Sequence, residues 1–470
     1  MTGRAFDLLR SNTPEVFAIA LGAWCGVVAL MTSTEIRLLL LIPLLLAALF
    51  YWVLLRPSRW LAAFFFCLLL LPPLPFPLGN SGVHVAPLCA LLGLLASLVC
   101  IREWRSWSHP LTVALVIFMG ILLESVAFGA LYSGWVIALG SLARVVLFGI
   151  GVFVFLYSYA GPTGAPPLRI ARLLFGLAVA GAFFACADFY FQFPAPAGFG
   201  DQFVYLEEGV FRRAQGLFYE ASTLGNFCAF FLVMAMVCLF RRRQATPLSR
   251  STLHLGAVIL AGALLFSYSR ASVLNVCVAA AVLACIHGGR ARRSLAVLLA
   301  VLTGAAVAVQ LAAPKLSANY WGRLLGSFSF FGESPDQVLS GRLGHWQTLY
   351  NFLAHEPWHG VFGIGYKTLP YSTFVGSKVI ADNTYLGLLV ETGVVGLAAF
   401  IALNIVILRT GWLARRSGRP QAQFFGEWIF CFWCGQLVQM LSGDLMTYWR
   451  VLPVYFWVLG TAARLTREDA

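Results

Sequence analysis

Two short stretches place guanidinium groups where an oxyanion could be gripped. Arg212-Arg213-Ala-Gln215-Gly216 comes just before an apolar run that opens near Ala221, and Ser267-Tyr-Ser269-Arg270 separates two further apolar runs. Guanidinium forks match phosphate oxygens in pairs, and hydroxyls beside a fixed cation suit the same anion. Plainer roles compete. Arg212 and Arg213 can pair with Glu207 and Glu208 in a solvated loop, and an arginine at a helix end can snorkel to lipid headgroups. Among the carboxylates, Glu220 falls at a helix start, either as a favourable dipole charge or as an acid/base group. Asp382 opens Asp382-Asn383-Thr-Tyr385-Leu386 and reads as the N-cap of the next helix, on the same side of the chain as Arg213 and Arg270. Glu391 lies two turns into that apolar helix, where an ionisable group needs a partner.

Other motifs carry less. Ser340-Gly341-Arg342-Leu-Gly-His345-Trp346 adds a third arginine. The nearby Gly360-Val-Phe-Gly363-Ile-Gly365 lacks the strand, helix and later acidic residue of a nucleotide fingerprint. His345, His355 and His359 follow no zinc spacing, and Cys431-Phe-Trp-Cys434 sits inside an apolar segment without other soft ligands. No metal and no cofactor is expected. The eleven cysteines lie mostly in apolar runs and read as small buried hydrophobes, not as a disulfide framework.

The elements that must position these groups are membrane helices. Of 470 residues, 60% are hydrophobic and 11% charged. An ordinary soluble domain is less apolar and about a quarter charged, so a soluble enzyme is excluded. On a rule of about 20 apolar residues per crossing, there are fourteen candidate spans, or twelve if short and proline-rich ones such as 60–78 are broken. The fold class is therefore an all-α integral membrane protein, a multispanning bundle of 12–14 transmembrane helices. Its sections are N-terminal helices (1–193), a first outer loop (194–220), central helices (221–313), a large outer loop with short helices (314–382) and C-terminal helices (383–470). The first apolar run follows Arg4 and Arg10 without a small-residue cleavage site and reads as an uncleaved helix.

The net charge of +13 would suggest nucleic acid in a soluble protein; here topology explains most of it. With the N-terminus cytoplasmic, alternate loops and the two termini collect 21 of the 32 lysines and arginines. The remaining eleven include Arg144, Arg212, Arg213, Arg270, Arg342, Lys367 and Arg450. Both long loops then face outward, and their aromatic content argues for structure rather than disorder.

In this order, Arg213-Ala-Gln-Gly216, Ser269-Arg270, Ser340-Gly341-Arg342 with Trp346, Pro357, Gly360–Gly365, Asn383-Thr-Tyr385-Leu386 and Glu391-Thr-Gly393 resemble the bacterial O-antigen ligase/polymerase superfamily, which includes protein O-oligosaccharyltransferases. The likeness runs from about 205 to 400; the first 190 residues match only as apolar helices. It implies a GT-C-type glycosyltransferase of the inner membrane that moves a preassembled glycan from undecaprenyl diphosphate to an acceptor hydroxyl on the periplasmic side, with inversion and without metal or nucleotide. The resemblance carries the family's functional arginines onto Arg213 and Arg270, and with them Arg342.

On this reading Asp382, Arg213, Arg270 and Glu220 form the catalytic set. Arg212, Gln215, Arg342, Asn383, Tyr385 and Ser269 bind substrate. Partners are the lipid-linked glycan donor, a glycan or lipid A-core acceptor, membrane lipid, and a chain-length regulator or flippase; nucleic acid is not among them. One departure matters. Family ligases carry a histidine immediately before the Asn-x-Tyr-Leu motif, where this chain has Asp382, which favours polymerisation over ligation to lipid A-core. A peptidoglycan-type polymerase shares the lipid diphosphate chemistry and is a rival. A glycan flippase would line a central cavity with charge and show repeat symmetry.

Overall fold

The computed structural model describes residues 13–55, 59–74, 77–78, 81–104, 108–161, 166–194, 202–206, 209–241, 248–288 and 342–468, with the isolated positions 303 and 307. The expected span at 294–313, the large loop up to 341 and the carboxylates Asp201, Glu207 and Glu208 lie outside them.

Fifteen α-helices make up most of the described chain: α1 Thr13–Leu30, α2 Thr34–Leu55, α3 Arg59–Leu70, α4 Val85–Val99, α5 Pro110–Ser133, α6 Trp135–Ala160, α7 Pro167–Phe191, α8 Ala221–Phe240, α9 Arg250–Phe266, α10 Arg270–His287, α11 Arg342–His355, α12 His359–Phe362, α13 Thr384–Arg415, α14 Pro420–Gln439 and α15 Leu452–Arg467. Six of them (α5, α6, α7, α8, α10 and α13) are long and apolar enough to cross a membrane. This is the multispanning helical membrane protein that the composition required. Among the described residues the only strands form two small antiparallel hairpins, β1 Pro77–Leu78 with β2 Ser81–Gly82 and β3 Phe203–Leu206 with β4 Gly209–Arg212.

Helix starts follow local chemistry. Pro110, Pro167 and Pro420 stand in the first helical turn, where the missing N–H costs nothing. His84 and His109 cap α4 and α5 by accepting a backbone N–H on Nδ1. α3 is too short to cross alone, and the prolines after Leu71 end it. Its last carbonyls are taken by Arg450, which donates to Leu68 and Leu71 from a fully buried position. A cation there also complements the negative end of the helix dipole.

The core is aromatic. Phe230 of α8 packs on Trp428 and Phe432 of α14 and on Tyr455 of α15, with ring centroids 4.4 to 4.8 Å apart. At the opposite end of the bundle from Arg213, the buried Glu427 of α14 gathers Arg241, His287 and Arg415 from the ends of α8, α10 and α13. Removing that carboxylate would leave three basic groups facing one another.

α13 is broken rather than continuous. Gly393 adopts φ +69° and ψ −175° inside it, so carbonyls ahead of the break lose their helical partners. The turn after α12 takes them over: Ile364 N–H donates to the Val390 carbonyl and Gly365 N–H to that of Glu391. The glycine-rich stretch that looked like a phosphate loop is thus a backbone splint. A Cβ on Gly363 or Gly393 would strike backbone atoms of the other segment, 2.3 Å from the Glu391 oxygen and 2.0 Å from the Val361 oxygen respectively.

Candidate active site at one end of the bundle

The site forms where the β4–α8 loop meets the α9–α10 turn and the segment leading into α13. Arg213 is fixed through its main chain and side chain together. Its N–H donates to the Gln202 carbonyl at 2.8 Å, its Nε donates to the Ser267 carbonyl at 2.8 Å, and Ala214 N–H donates to the Phe266 carbonyl at 3.0 Å. These bonds bring Arg213 beside the turn that ends in Ser269-Arg270, with Arg270 as the first residue of α10. The turn is tight: Tyr268 has φ +50°. Gln202 is a staple that the sequence did not announce. Besides holding Arg213, its side-chain oxygen accepts the Ala221 N–H at 3.1 Å, which pins the α8 start and Glu220 to the same residue.

Arg212 has another task. It is buried, and its Nη2 lies 2.6 Å from Asp188 of α7 and 2.7 Å from the Phe193 carbonyl. Asp188 also receives the Gly216 N–H, so one carboxylate organises both sides of the Arg-Arg-Ala-Gln-Gly turn. Gly216 itself has φ +56° and presses on Ala185 closely enough that a Cβ would lie 2.8 Å from it. Gln215 is fully buried. The loop ion pair expected with Glu207 and Glu208 lies outside the described residues; the partner found for Arg212 is Asp188.

Carboxylates gather around the start of α8 and the entry to α13, where Glu220, Asp382 and Asp444 lie close enough to feel one another's charge. Glu220 precedes α8 and accepts a hydrogen bond from the Ser222 hydroxyl at 3.0 Å. Burial pushes its carboxyl above the ordinary glutamate range; the Ser222 bond opposes this, while the nearby charges of Asp444 and Asp382 add to it. Asp382 has the left-handed φ of +44°, and its half-exposed carboxylate lies 3.2 Å from Arg342 Nε at the start of α11. It is not the N-cap expected from the sequence. Asn383 is: its Oδ1 accepts the N–H groups of Tyr385 and Leu386 at 3.0 and 3.1 Å. The cap moves by one residue because the turned-back Asp382 points its side chain at Arg342 instead. Tyr385 spends its hydroxyl on the Leu437 carbonyl of α14 at 3.0 Å, so Asn383 and Tyr385 hold the α13 entry in place.

Four residues of this locus, Lys367, Asp444, Thr384 and Tyr448, escaped sequence reasoning as site groups. Lys367, buried with φ +55°, makes an ion pair with Asp444. Thr384 ties the α13 start to the segment around Asp444, through its N–H to the Met440 carbonyl and its hydroxyl to the Gly443 carbonyl. Tyr448 is buried beside Glu220 and hydrogen-bonds Ser222; burial and then the charge of Glu220 raise its phenol above the usual range. The signals were weak: a lysine and an aspartate 77 positions apart in polar linkers. Glu391 finds its partners in the same region, its carboxylate taking the N–H groups of Lys367 and Leu369.

Behind Ser269 runs a buried polar chain. Ser269 Oγ is 2.8 Å from Ser272 Oγ, Gln439 Nε2 donates to Ser272 Oγ at 3.0 Å, and Asn226 and Asn275 both donate to Gln436 and Gln439 oxygens. Tyr455 closes the chain by donating to Asn226 Oδ1 at 2.5 Å. Such contacts lock helices together inside a bundle and here join α8, α10, α14 and α15 beneath Arg270.

What this arrangement can do is present the Arg213 guanidinium, fixed beside the turn that carries Arg270, to an anion, with the Glu220 carboxylate tied to the same loop through Gln202 as a candidate proton acceptor. Residues 255–401 match the family model described as O-antigen ligase. The resemblance to the O-antigen ligase/polymerase superfamily therefore holds over that segment, which takes in Ser269-Arg270, Arg342, the glycine splint, Asp382-Asn383 and the broken α13. Arg213 and the C-terminal helices fall outside it. No curated protein matches the chain.

Proposed function

We propose that this protein transfers a preassembled glycan from undecaprenyl diphosphate to an acceptor hydroxyl at the outer face of the inner membrane. The observation that carries the reading is the joining of Arg213 to the Ser267–Arg270 turn by direct bonds, with Glu220 held to the same scaffold through Gln202.

In the reaction the acceptor oxygen attacks the anomeric carbon as the bond from that carbon to the diphosphate oxygen breaks. The anomeric configuration inverts, the acceptor proton passes to a carboxylate, and undecaprenyl diphosphate leaves as an anion. Negative charge grows on the leaving group, so preset guanidinium groups stabilise the transition state more than the ground state. Arg213 and Arg270 have that role. Glu220, whose carboxyl holds its proton above the usual range, receives the acceptor proton, while Asp382, held by Arg342, orients the acceptor. Arg212, Gln215, Asn383 and Tyr385 shape the site from behind. The donor set needs no metal for this route.

Polymerisation of glycan repeats is the first reading, because Asp382 stands where family ligases carry histidine. Ligation to lipid A-core is the second, favoured by the description of the matching family. Deleting the gene decides between them. Single repeat units still joined to lipid A-core mean a lost polymerase, unattached long chains a lost ligase. Unchanged glycans would overturn both.

A further inference from the structure

α5 carries one acidic or basic side chain, Glu124. It stands nine positions before Ser133 in a helix of 24 residues, about 14 Å from one end and about 21 Å from the other. In a helix that crosses a bilayer this is near the middle of the hydrocarbon core, where charged groups are costly and ordinarily turn into the bundle. Glu124 does the reverse. It is exposed on the bundle surface, among Val113, Val116, Ile117 and Leu131 on the outward face of α5. Among the described residues no hydrogen bond or ion pair reaches it. Its neighbours one turn away on this face are small, Gly120 and Ala127, and a Cβ on Gly120 would meet nothing within 4 Å. The face offers close backbone approach with a single carboxyl at its middle.

We propose that this face of α5 docks a transmembrane helix of another membrane protein, one that carries a lysine or arginine at the same depth. Lipid headgroups do not reach the bilayer centre, so lipid cannot satisfy the carboxyl. A second copy of this chain is a poor match among the described residues. Arg144 of α6 lies at a comparable depth, but its Nη1 donates to the Lys367 carbonyl, its Nη2 to the Tyr371 hydroxyl, and the guanidinium covers the Tyr371 ring. A basic side chain from a different protein completes the charge, and small residues beside it allow the helices to pack closely. This docking does not depend on the transfer reaction.

The test uses the full-length protein in lipid vesicles with a synthetic leucine-alanine transmembrane peptide bearing one central lysine, read by energy transfer between labels. A control peptide has leucine at that position. The lysine peptide is expected to bind about tenfold more tightly than the control, a typical size for a polar contact between membrane helices, and Glu124→Leu is expected to abolish the preference. Gly120→Ile keeps the carboxyl but blocks close approach, and is expected to weaken binding of the lysine peptide. It decides the matter should Glu124→Leu fail to fold. Equal binding of the two peptides, or a preference that survives Glu124→Leu, overturns the proposal. So does energy transfer between copies of the protein that Glu124→Leu removes, since it assigns the face to a second copy.

Discussion

Arg212 and Arg213 are adjacent in sequence yet serve different ends of the molecule: Arg212 is spent on Asp188 at 2.6 Å, whereas Arg213 reaches across to the Ser267 carbonyl beside Arg270. Their substitutions are therefore expected to separate. Arg212→Ala leaves Asp188 buried without its cation, which costs about 3–5 kcal/mol; thermal unfolding in detergent should show a large drop in Tm. Asp188→Asn combined with Arg212→Met should recover part of it. Arg213→Ala, which gives up one bond to the Ser267 carbonyl worth about 1 kcal/mol, and Arg270→Ala should lower Tm far less than Arg212→Ala and lose about 100-fold or more in transfer rate, as for loss of one oxyanion-stabilising donor. Full transfer by either purified variant would remove the clamp role.

The raised proton affinity of Glu220 sets the pH profile. Only its ionised form can accept the acceptor proton, so the rate is expected to rise with pH along a limb centred above the ordinary glutamate range. Its stability sign is opposite. The folded protein favours the protonated form, so this group's contribution is complete at acid pH and lost as pH rises through the shifted value. Asp444→Asn removes one of the charges that hold Glu220 up and frees Lys367, so the limb should move to lower pH. A limb that stays in place in Asp444→Asn, or persists in Glu220→Gln, would assign the base elsewhere.

His84 makes acid sensitivity a local property. Its Nδ1 accepts the Ala86 N–H at 3.1 Å, while its Nε2 is 3.0 Å from the Leu71 carbonyl. That pairing fits a neutral ring with the proton on Nε2. Burial, and then the charge of Arg450, push it down to about 3. Below about pH 6.5 the unfolded chain takes up a proton that the folded chain refuses, so stability falls as pH falls. Between pH 6.5 and 5 the loss is about 2 kcal/mol. Thermal unfolding of His84→Asn, compared at pH 7 and pH 5, should show a smaller drop than the parent protein. An identical drop would place the acid sensitivity in other groups.

What the sequence revealed and what it hid follow from the range of the forces involved. The helices were legible because hydrocarbon demands long apolar runs, and the order of the motifs pointed to Arg213 and Arg270 before any geometry. Asp382 was misplaced as a cap because capping depends on one backbone angle: at φ +44° it surrenders the cap to Asn383. The pairing of Arg212 with Asp188, the Gln202 staple and the Lys367–Asp444 bridge were hidden because each joins segments whose approach is set by packing. The glycine-rich stretch lacks a nucleotide fingerprint in sequence, but its role as a splint for a broken helix depends on the break at Gly393, which no local pattern announces.

That splint yields the sharpest test of the fold. Gly393 combines a left-handed φ of +69° with an approach in which a Cβ would sit 2.0 Å from the Val361 oxygen, and Gly363, at φ +78°, faces the Glu391 carbonyl in the same way. Neither backbone can retreat, because Ile364 and Gly365 are hydrogen-bonded to the carbonyls of Val390 and Glu391 and the Glu391 carboxylate holds the N–H groups of Lys367 and Leu369. Alanine at either glycine is expected to cost about 3 kcal/mol or more, from strain plus the lost bonds. It should also release the α13 entry with Asp382 and Asn383, so that transfer falls along with Tm. Gly176→Ala in α7, where a Cβ meets nothing within 4 Å, should be neutral or slightly stabilising, since alanine is the better helix former. Measured together by thermal unfolding and transfer assay, Gly393→Ala behaving like Gly176→Ala would mean that α13 is continuous in the membrane, and that the end of the bundle carrying Asp382 is built some other way.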